Sequence, residues 1–181
     1  MCRCRSDGYN LRQLQPFKSE EPFVEVRKSS VCEGWGLWST IAFREGEIIC
    51  RYSGVCIDHQ TAQHSQSQYI LGPVSSSYVQ IRKKTILKHW YIDSESKQNT
   101  SGRFVNHDER DPNCIWDFPN NPDRMLYDQS IGRWYVYIKA AYDIQSGTEL
   151  TIDYGFDLDN ISDPYTGKLI NDFEYDLNKI S

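Results

Sequence analysis

A mostly β domain built from small sheets is the fold class that this 181-residue sequence predicts. Short runs rich in β-branched and aromatic residues recur along the chain. Turn signals separate those runs. Hydrophobic content is 39%, slightly low for a globular chain, but five Trp, twelve Tyr and seven Phe can supply much of a core.

Taken in order, residues 1–21 are polar, contain Pro16 and show no period, which reads as an N-terminal arm or the remnant of a preceding module. From Pro22 the chain turns strand-like, and EPFVEVRKS sets Phe23, Val24 and Val26 among charged residues. GLWSTIAF and GEIICRYSGVCI follow as strands, separated by the turn signal Glu45-Gly46. HSQSQ, between Thr61 and Tyr69, is polar and reads as a loop. SSYVQIR, HWYID, CIWDF and RWYVYIKAAY are further short strands, and residues 96–105 have room for a short helix. Gly147 to Asp157, GTELTIDYGFD, starts at a Ser146-Gly147 turn and feeds one more short strand. Leu169, Ile170, Phe173, Leu177 and Ile180 recur at helical spacing and predict a closing amphipathic helix over 169–180.

The formal net charge is −5, which argues against grip on nucleic acid through a broad basic surface and suits a basic protein partner. No run of about 18 apolar residues predicts a membrane span. MCRCRSDGYN has no apolar stretch of the kind a secretory leader needs. The six cysteines, at 2, 4, 32, 50, 56 and 114, are therefore expected as reduced thiols. Cys2 and Cys4 form half of a metal-site spacing, but no second Cys/His pair completes it, so no metal is expected.

Three segments stand out. In EGWGLW, the glycines flanking Trp35 let backbone approach a neighbour closely, and a tight turn beneath a packed Trp reads equally well. RFVNHDERDPNC crowds Asn106, His107, Pro112, Asn113 and Cys114 into one polar stretch, which fits a metal pair, a catalytic dyad or an ordinary turn. The third segment delivers Tyr154 at a strand end just before Gly155, a position that by itself suits a core residue.

Together and in this order, GWGLW at 34–38, RFVNH at 103–107 with PNC at 112–114, and ELTIDYG at 149–155 resemble the SET-domain family of protein lysine methyltransferases. CRYSG at 50–54 is similar to the family's strand ending in Tyr-x-Gly. The resemblance covers residues 22–157 and implies the β-clip SET fold, in which small sheets surround a knot-like threading of the C-terminal strand through the Asn-His segment. It also implies a C-terminal segment, 158–181, that closes the site with a helix and without zinc. The implied activity is transfer of a methyl group from S-adenosylmethionine to a lysine amine, leaving S-adenosylhomocysteine. The substrate it suggests is a basic protein, a histone tail first. It implies a chromatin regulator in the nucleus (the host nucleus for a microbial or viral chain), with the cytoplasm as the alternative. Neither direct nucleic-acid contact nor membrane contact is expected, and the oligomeric state is not legible. Two other readings stay open: a catalytically inactive SET-like module that binds a peptide or protein, and a methyltransferase of a non-histone protein.

Residue by residue, the resemblance places the backbone of Gly34, Trp35 and Gly36 at the amino-acid end of the cofactor. The Asn106 side chain would bond its amino group and the backbone at His107 its adenine edge. Arg103 and Phe104 would support the site. Tyr154 is the first choice for the tyrosine that orients the lysine amine, and Tyr52 the second. No residue need be a strong base. Only about one lysine in 2,500 is neutral at pH 7, so an apolar aromatic channel that disfavours the ammonium is part of the chemistry. Trp116, Ile152 and Phe156 are the candidate lining of that channel, and Trp116 stands where other members carry a Tyr. Aromatic residues of the tail would finish it.

Two departures mark this chain. Asp108-Glu109-Arg110-Asp111 follows Asn-His and is one residue longer than the family's Ser-Cys-x. It brings three carboxylates either to the cofactor end or to the outer surface. Arg51 replaces a usual Glu, and a solvated face is its plain reading. Cys114 matches a zinc ligand of other members, but no cysteine follows it, so a free thiol is expected.

Overall fold

The computed structural model describes residues 21–81, 84–95, 101–117, 126–130 and 132–154, with the side chains of 75–88 left aside. The N-terminal arm, Phe156 and the closing helix over 169–180 lie outside those residues.

The strands are β1 (Val24–Lys28), β2 (Trp35–Ser39), β3 (Ile48–Asp58), β4 (Ile70–Ile81), β5 (Lys84–Asp93), β6 (Asn106–His107), β7 (Cys114–Asp117), β8 (Leu126–Asp128), β9 (Arg133–Ala140) and β10 (Glu149–Ile152). The chain is mostly β, as expected. The small sheets join edge to edge in the order β1-β2-β10-β7-β9-β3-β5-β4, with β6 beside β10 and β8 beside β9. The alternation in RWYVYIKA explains β9: Val136, Ile138 and Ala140 are fully buried while their neighbours are partly exposed. Leu37, Val105, Ile92, Leu150 and Ile152 meet them in the core.

Two elements differ from the sequence reading. HSQSQ begins inside a six-residue helix, α1 (His59–His64), capped by Asp58, whose carboxylate accepts from Thr61 N at 2.9 Å and Thr61 Oγ1 at 2.7 Å. No residue of α1 is buried, so no apolar stripe announced it. Of the short helix expected over 96–105, only residues 101–105 are described, and they hold a 3-10 turn rather than an α-helix, Ser101–Phe104, with all four residues buried. Gly102 lets that turn press on β3: a Cβ there would lie 2.4 Å from Arg51 O.

The placement of β10 organises the site. It runs antiparallel to β2, with Leu150 opposite Leu37. It runs parallel to β6, with Thr151 opposite Asn106 and Ile152 opposite His107, and parallel to β7 at Cys114. A strand late in the chain therefore sits between the segment that follows Gly34 and the Asn-His segment. Asn113 extends this ladder with a side chain. Its Nδ2 donates to Glu149 O at 2.7 Å, and its Oδ1 accepts from Thr151 N at 2.9 Å. The buried amide thus completes main-chain pairing that a short strand would leave open.

Candidate active site

The parallel pairing of β6 with β10 carries the geometry upward from backbone to side chains. Asn106 is buried, and its Nδ2 donates to Trp35 O at 3.0 Å, to Glu149 Oε1 at 3.0 Å and to Ser29 Oγ at 3.1 Å. One amide thereby links the Gly34–Gly36 segment, the Asn-His segment and β10. Gly34 adopts φ 128°, and Gly36 lies under the cluster. A Cβ at Gly36 would come within 2.1 Å of Glu149 Oε1 and 3.1 Å of Asn106 Nδ2. Any side chain there would collide with the Glu149 carboxylate, so the glycine is required by close approach.

Glu149 is buried too. Its Oε1 accepts from Ser29 Oγ at 2.7 Å, and its Oε2 accepts from Ser30 N and Ser30 Oγ, both at 2.6 Å. Burial pushes this carboxyl up, but the hydrogen bonds from Ser29, Ser30 and Asn106 outweigh it and hold the group below the ordinary glutamate value.

On the other side of Asn106, the His107 and Tyr154 rings lie 5.2 Å apart at 33°. Tyr154 N donates to His107 Nδ1 at 3.2 Å, and the Tyr154 hydroxyl donates to Val105 O. The Tyr52 hydroxyl donates to Tyr69 O at 2.6 Å. Each tyrosine commits its single proton to a carbonyl, so what each oxygen can offer a third group is lone pairs. Trp116 packs edge-on against Tyr52, with centroids 5.6 Å apart at 86°, and its Nε1 donates to Asp153 O at 3.0 Å, next to Tyr154. Tyr52 and Trp116 thus form an aromatic pair tied to the residue that precedes Tyr154. Ile152 is fully buried in the core.

Arg103 is a buried support. Its Nη1 reaches Ser94 O and Glu95 O, each at 3.4 Å, and its guanidinium lies over Tyr69 at 5.1 Å and Phe104 at 4.8 Å. The acidic loop turns outward. Glu109 and Asp111 are exposed, Asp108 Oδ1 accepts from Arg110 N at 2.9 Å and Asp111 N at 3.3 Å, and the loop is tied back by Asp108 N donating to Ile152 O at 3.2 Å and by a side-chain hydrogen bond between Asp111 and Tyr142. Arg51 is no solvated bystander: its Nη1 bonds Asp128 Oδ2 at 2.8 Å, and its guanidinium lies over the Tyr135 ring at 5.2 Å. Cys114 is a buried thiol that donates to Asn113 Oδ1 at 3.2 Å, and burial pushes its pKa up to about 12. Among the described residues, no cluster of three or more His, Cys, Asp or Glu stands at metal-binding spacing. Among the described residues, no helix is long and apolar enough to cross a membrane.

Sequence reasoning assigned no role to Glu149, Ser29, Ser30 or Asn113. A glutamate among the apolar residues of a short strand was the available signal for the first. The serines carry none, because a Ser-Ser pair at the end of a strand-like run reads as an ordinary loop.

A family model described as the SET domain matches residues 34–155. The chain is 28% identical over 162 residues to a histone-lysine N-methyltransferase set1 of Dictyostelium discoideum, covering 88% of this chain and 10% of that protein. It is 30% identical over 158 residues to an H3 lysine-4 specific histone-lysine N-methyltransferase of Aspergillus oryzae, covering 87% of this chain and 11% of that protein. It is 26% identical over 137 residues to a histone-lysine N-methyltransferase set-1 of Caenorhabditis elegans, covering 76% of this chain and 52% of that protein. The chain therefore spans about a tenth of the first two relatives and about half of the third.

Proposed function

The chain belongs to the SET-domain family, and on that premise we propose that it is a protein lysine N-methyltransferase that uses S-adenosylmethionine. The observation that carries the proposal is the joining of three separate segments at Asn106 and Tyr154 through the pairing of β6 with β10. A buried amide whose nitrogen is already bonded, and whose oxygen accepts from no described residue, fits a bound amino acid that carries an ammonium group. Gly34, Trp35 and Gly36 would offer backbone to that end of S-adenosylmethionine, Asn106 its side chain, and His107 its backbone to the adenine.

S-adenosylmethionine supplies a methyl group already activated by a positive sulfur, so no protein nucleophile or metal has to generate it. This chain's residues would do the rest. The Tyr52–Trp116 pair gives an incoming lysine amine an aromatic, poorly hydrated wall that favours its neutral form. The oxygens of Tyr154 and Tyr52 would accept from the amine or from methyl C–H groups and so align the two reactants. Ile152 and Phe156 complete the proposed lining.

The substrate we propose is a basic protein, a histone tail in the first place, and the site of action the nucleus. The net charge of −5 favours a basic partner, and the relatives carry histone-lysine N-methyltransferase names. Labelled methyl transfer to core histones and histone-tail peptides, with the modified residue located by mass spectrometry, tests the reading. Label on a lysine is expected. Cofactor binding without transfer to any histone would instead favour a non-histone substrate or an inactive binding module.

A further inference from the structure

We propose that Glu149 is a positioning residue for the methyl donor: its carboxylate fixes the Asn106 amide in the orientation that turns the carboxamide oxygen toward the donor's ammonium group. The inference rests on the cofactor reading above. An Asn amide has two orientations of nearly equal shape, and its neighbours decide between them. Here the neighbours are one-sided. Trp35 O at 3.0 Å and Glu149 Oε1 at 3.0 Å can only accept, and both face Nδ2. Turning the amide over would set its oxygen against two acceptors in a buried place. Among the described residues nothing donates to Asn106 Oδ1, so this oxygen is the group left for a ligand.

The carboxylate is itself held on both oxygens. Ser29 Oγ donates to Oε1, and Ser30 N and Oγ donate to Oε2. A glutamine at 149 has the same shape but only one acceptor end. It can satisfy the Ser30 N–H or the Asn106 Nδ2–H, not both. Whenever it satisfies Ser30, its own NH2 faces Asn106 and draws the Asn106 oxygen inward. The Asn106 NH2 then meets the ligand's ammonium, donor against donor. Gly36 is part of the same device, because a Cβ there would lie 2.1 Å from the carboxylate oxygen that faces Asn106.

Calorimetric binding of S-adenosylhomocysteine and of its des-amino analogue, to wild type and to Glu149→Gln, tests this without turnover. For wild type the ammonium should matter, with the analogue the weaker ligand. Glu149→Gln should bind S-adenosylhomocysteine about tenfold more weakly or worse, yet bind the analogue within about twofold of wild type. Equal losses on both ligands would make Glu149 a structural residue only and overturn the inference while leaving the cofactor reading intact. Wild type that binds neither ligand would overturn both. Should Glu149→Gln not fold, the nuclear magnetic resonance of wild type carries the test. The Asn106 side-chain NH2 should give one slowly exchanging pair of signals, coupled through the hydrogen bond to the Trp35 carbonyl carbon. Two interconverting sets, or rapid exchange, would refute a fixed amide.

Discussion

Cys114 shows how a residue's chemistry follows from its surroundings rather than from its identity. It matches a metal-ligand position by sequence, but here it is a fully buried thiol donating to Asn113, with its pKa pushed up to about 12 by burial. A folded-state pKa above the unfolded value of about 8.5 means that the thiol's contribution is fully present below that value. It is lost as pH rises, because the unfolded chain ionises first. Stability to urea should therefore fall from about pH 8.5 up to about pH 12, and Cys114→Ala should flatten that slope whatever it does to stability at pH 7. A wild-type slope unchanged in the variant would contradict the assignment. Burial likewise raises the Cys50 thiol, which should leave some slope in the single variant. Tyr52 and Tyr154 were proposed from the sequence because each sits in a motif that resembles a family pattern. Glu149 was not, since its role depends on Ser29 and Ser30, about 120 residues away in the chain, meeting it across a strand pair.

At the scale of the element, the ladder around β10 is the feature on which the site depends. Its four residues are all buried, yet four residues are too few to hold a register alone. Asn113 on one side and the Asn106 amide on the other supply the missing bonds. The 3-10 turn just before β6 sets where Asn106 starts, and Gly102 lets that turn sit on β3. Gly102→Ala should cost about 1–3 kcal/mol, because its Cβ would meet backbone that cannot give way as a flexible side chain would. A denaturant titration measures it, and cofactor affinity should fall with stability. A neutral substitution would mean that the turn does not bear on β3. The strands with strong alternation, β1 and β9, were readable from sequence. Helix α1 and β8 were not: α1 buries nothing and rests on one Asp cap, and β8 is a three-residue strand on the flank of β9.

At the scale of the whole molecule, the family membership was written in three ordered motifs, and the fold follows from the way β10 joins them. The mostly β class was legible because most of the core comes from strands. The joining of the small sheets through β10 was not, because pairing between segments over 100 residues apart leaves no local pattern. The acidic loop at 108–111 and Arg51, two departures from the family pattern, form none of the hydrogen bonds that hold the Asn106 amide. The loop bonds within itself, to Ile152 and to Tyr142, and Arg51 bonds Asp128 on the β8–β9 side. Neither gives a physical reason for lost activity.

We propose that Tyr154 aligns a lysine amine beside a methyl donor held at Asn106. The measurement that tests it most directly compares wild type with Tyr154→Phe in two assays on one preparation: methyl transfer to core histones and binding of S-adenosylmethionine. The account predicts a transfer rate lower by about 10²-fold with binding kept within about threefold. An unchanged rate would remove Tyr154 from the site, and loss of binding in step with the rate would reduce it to a structural support.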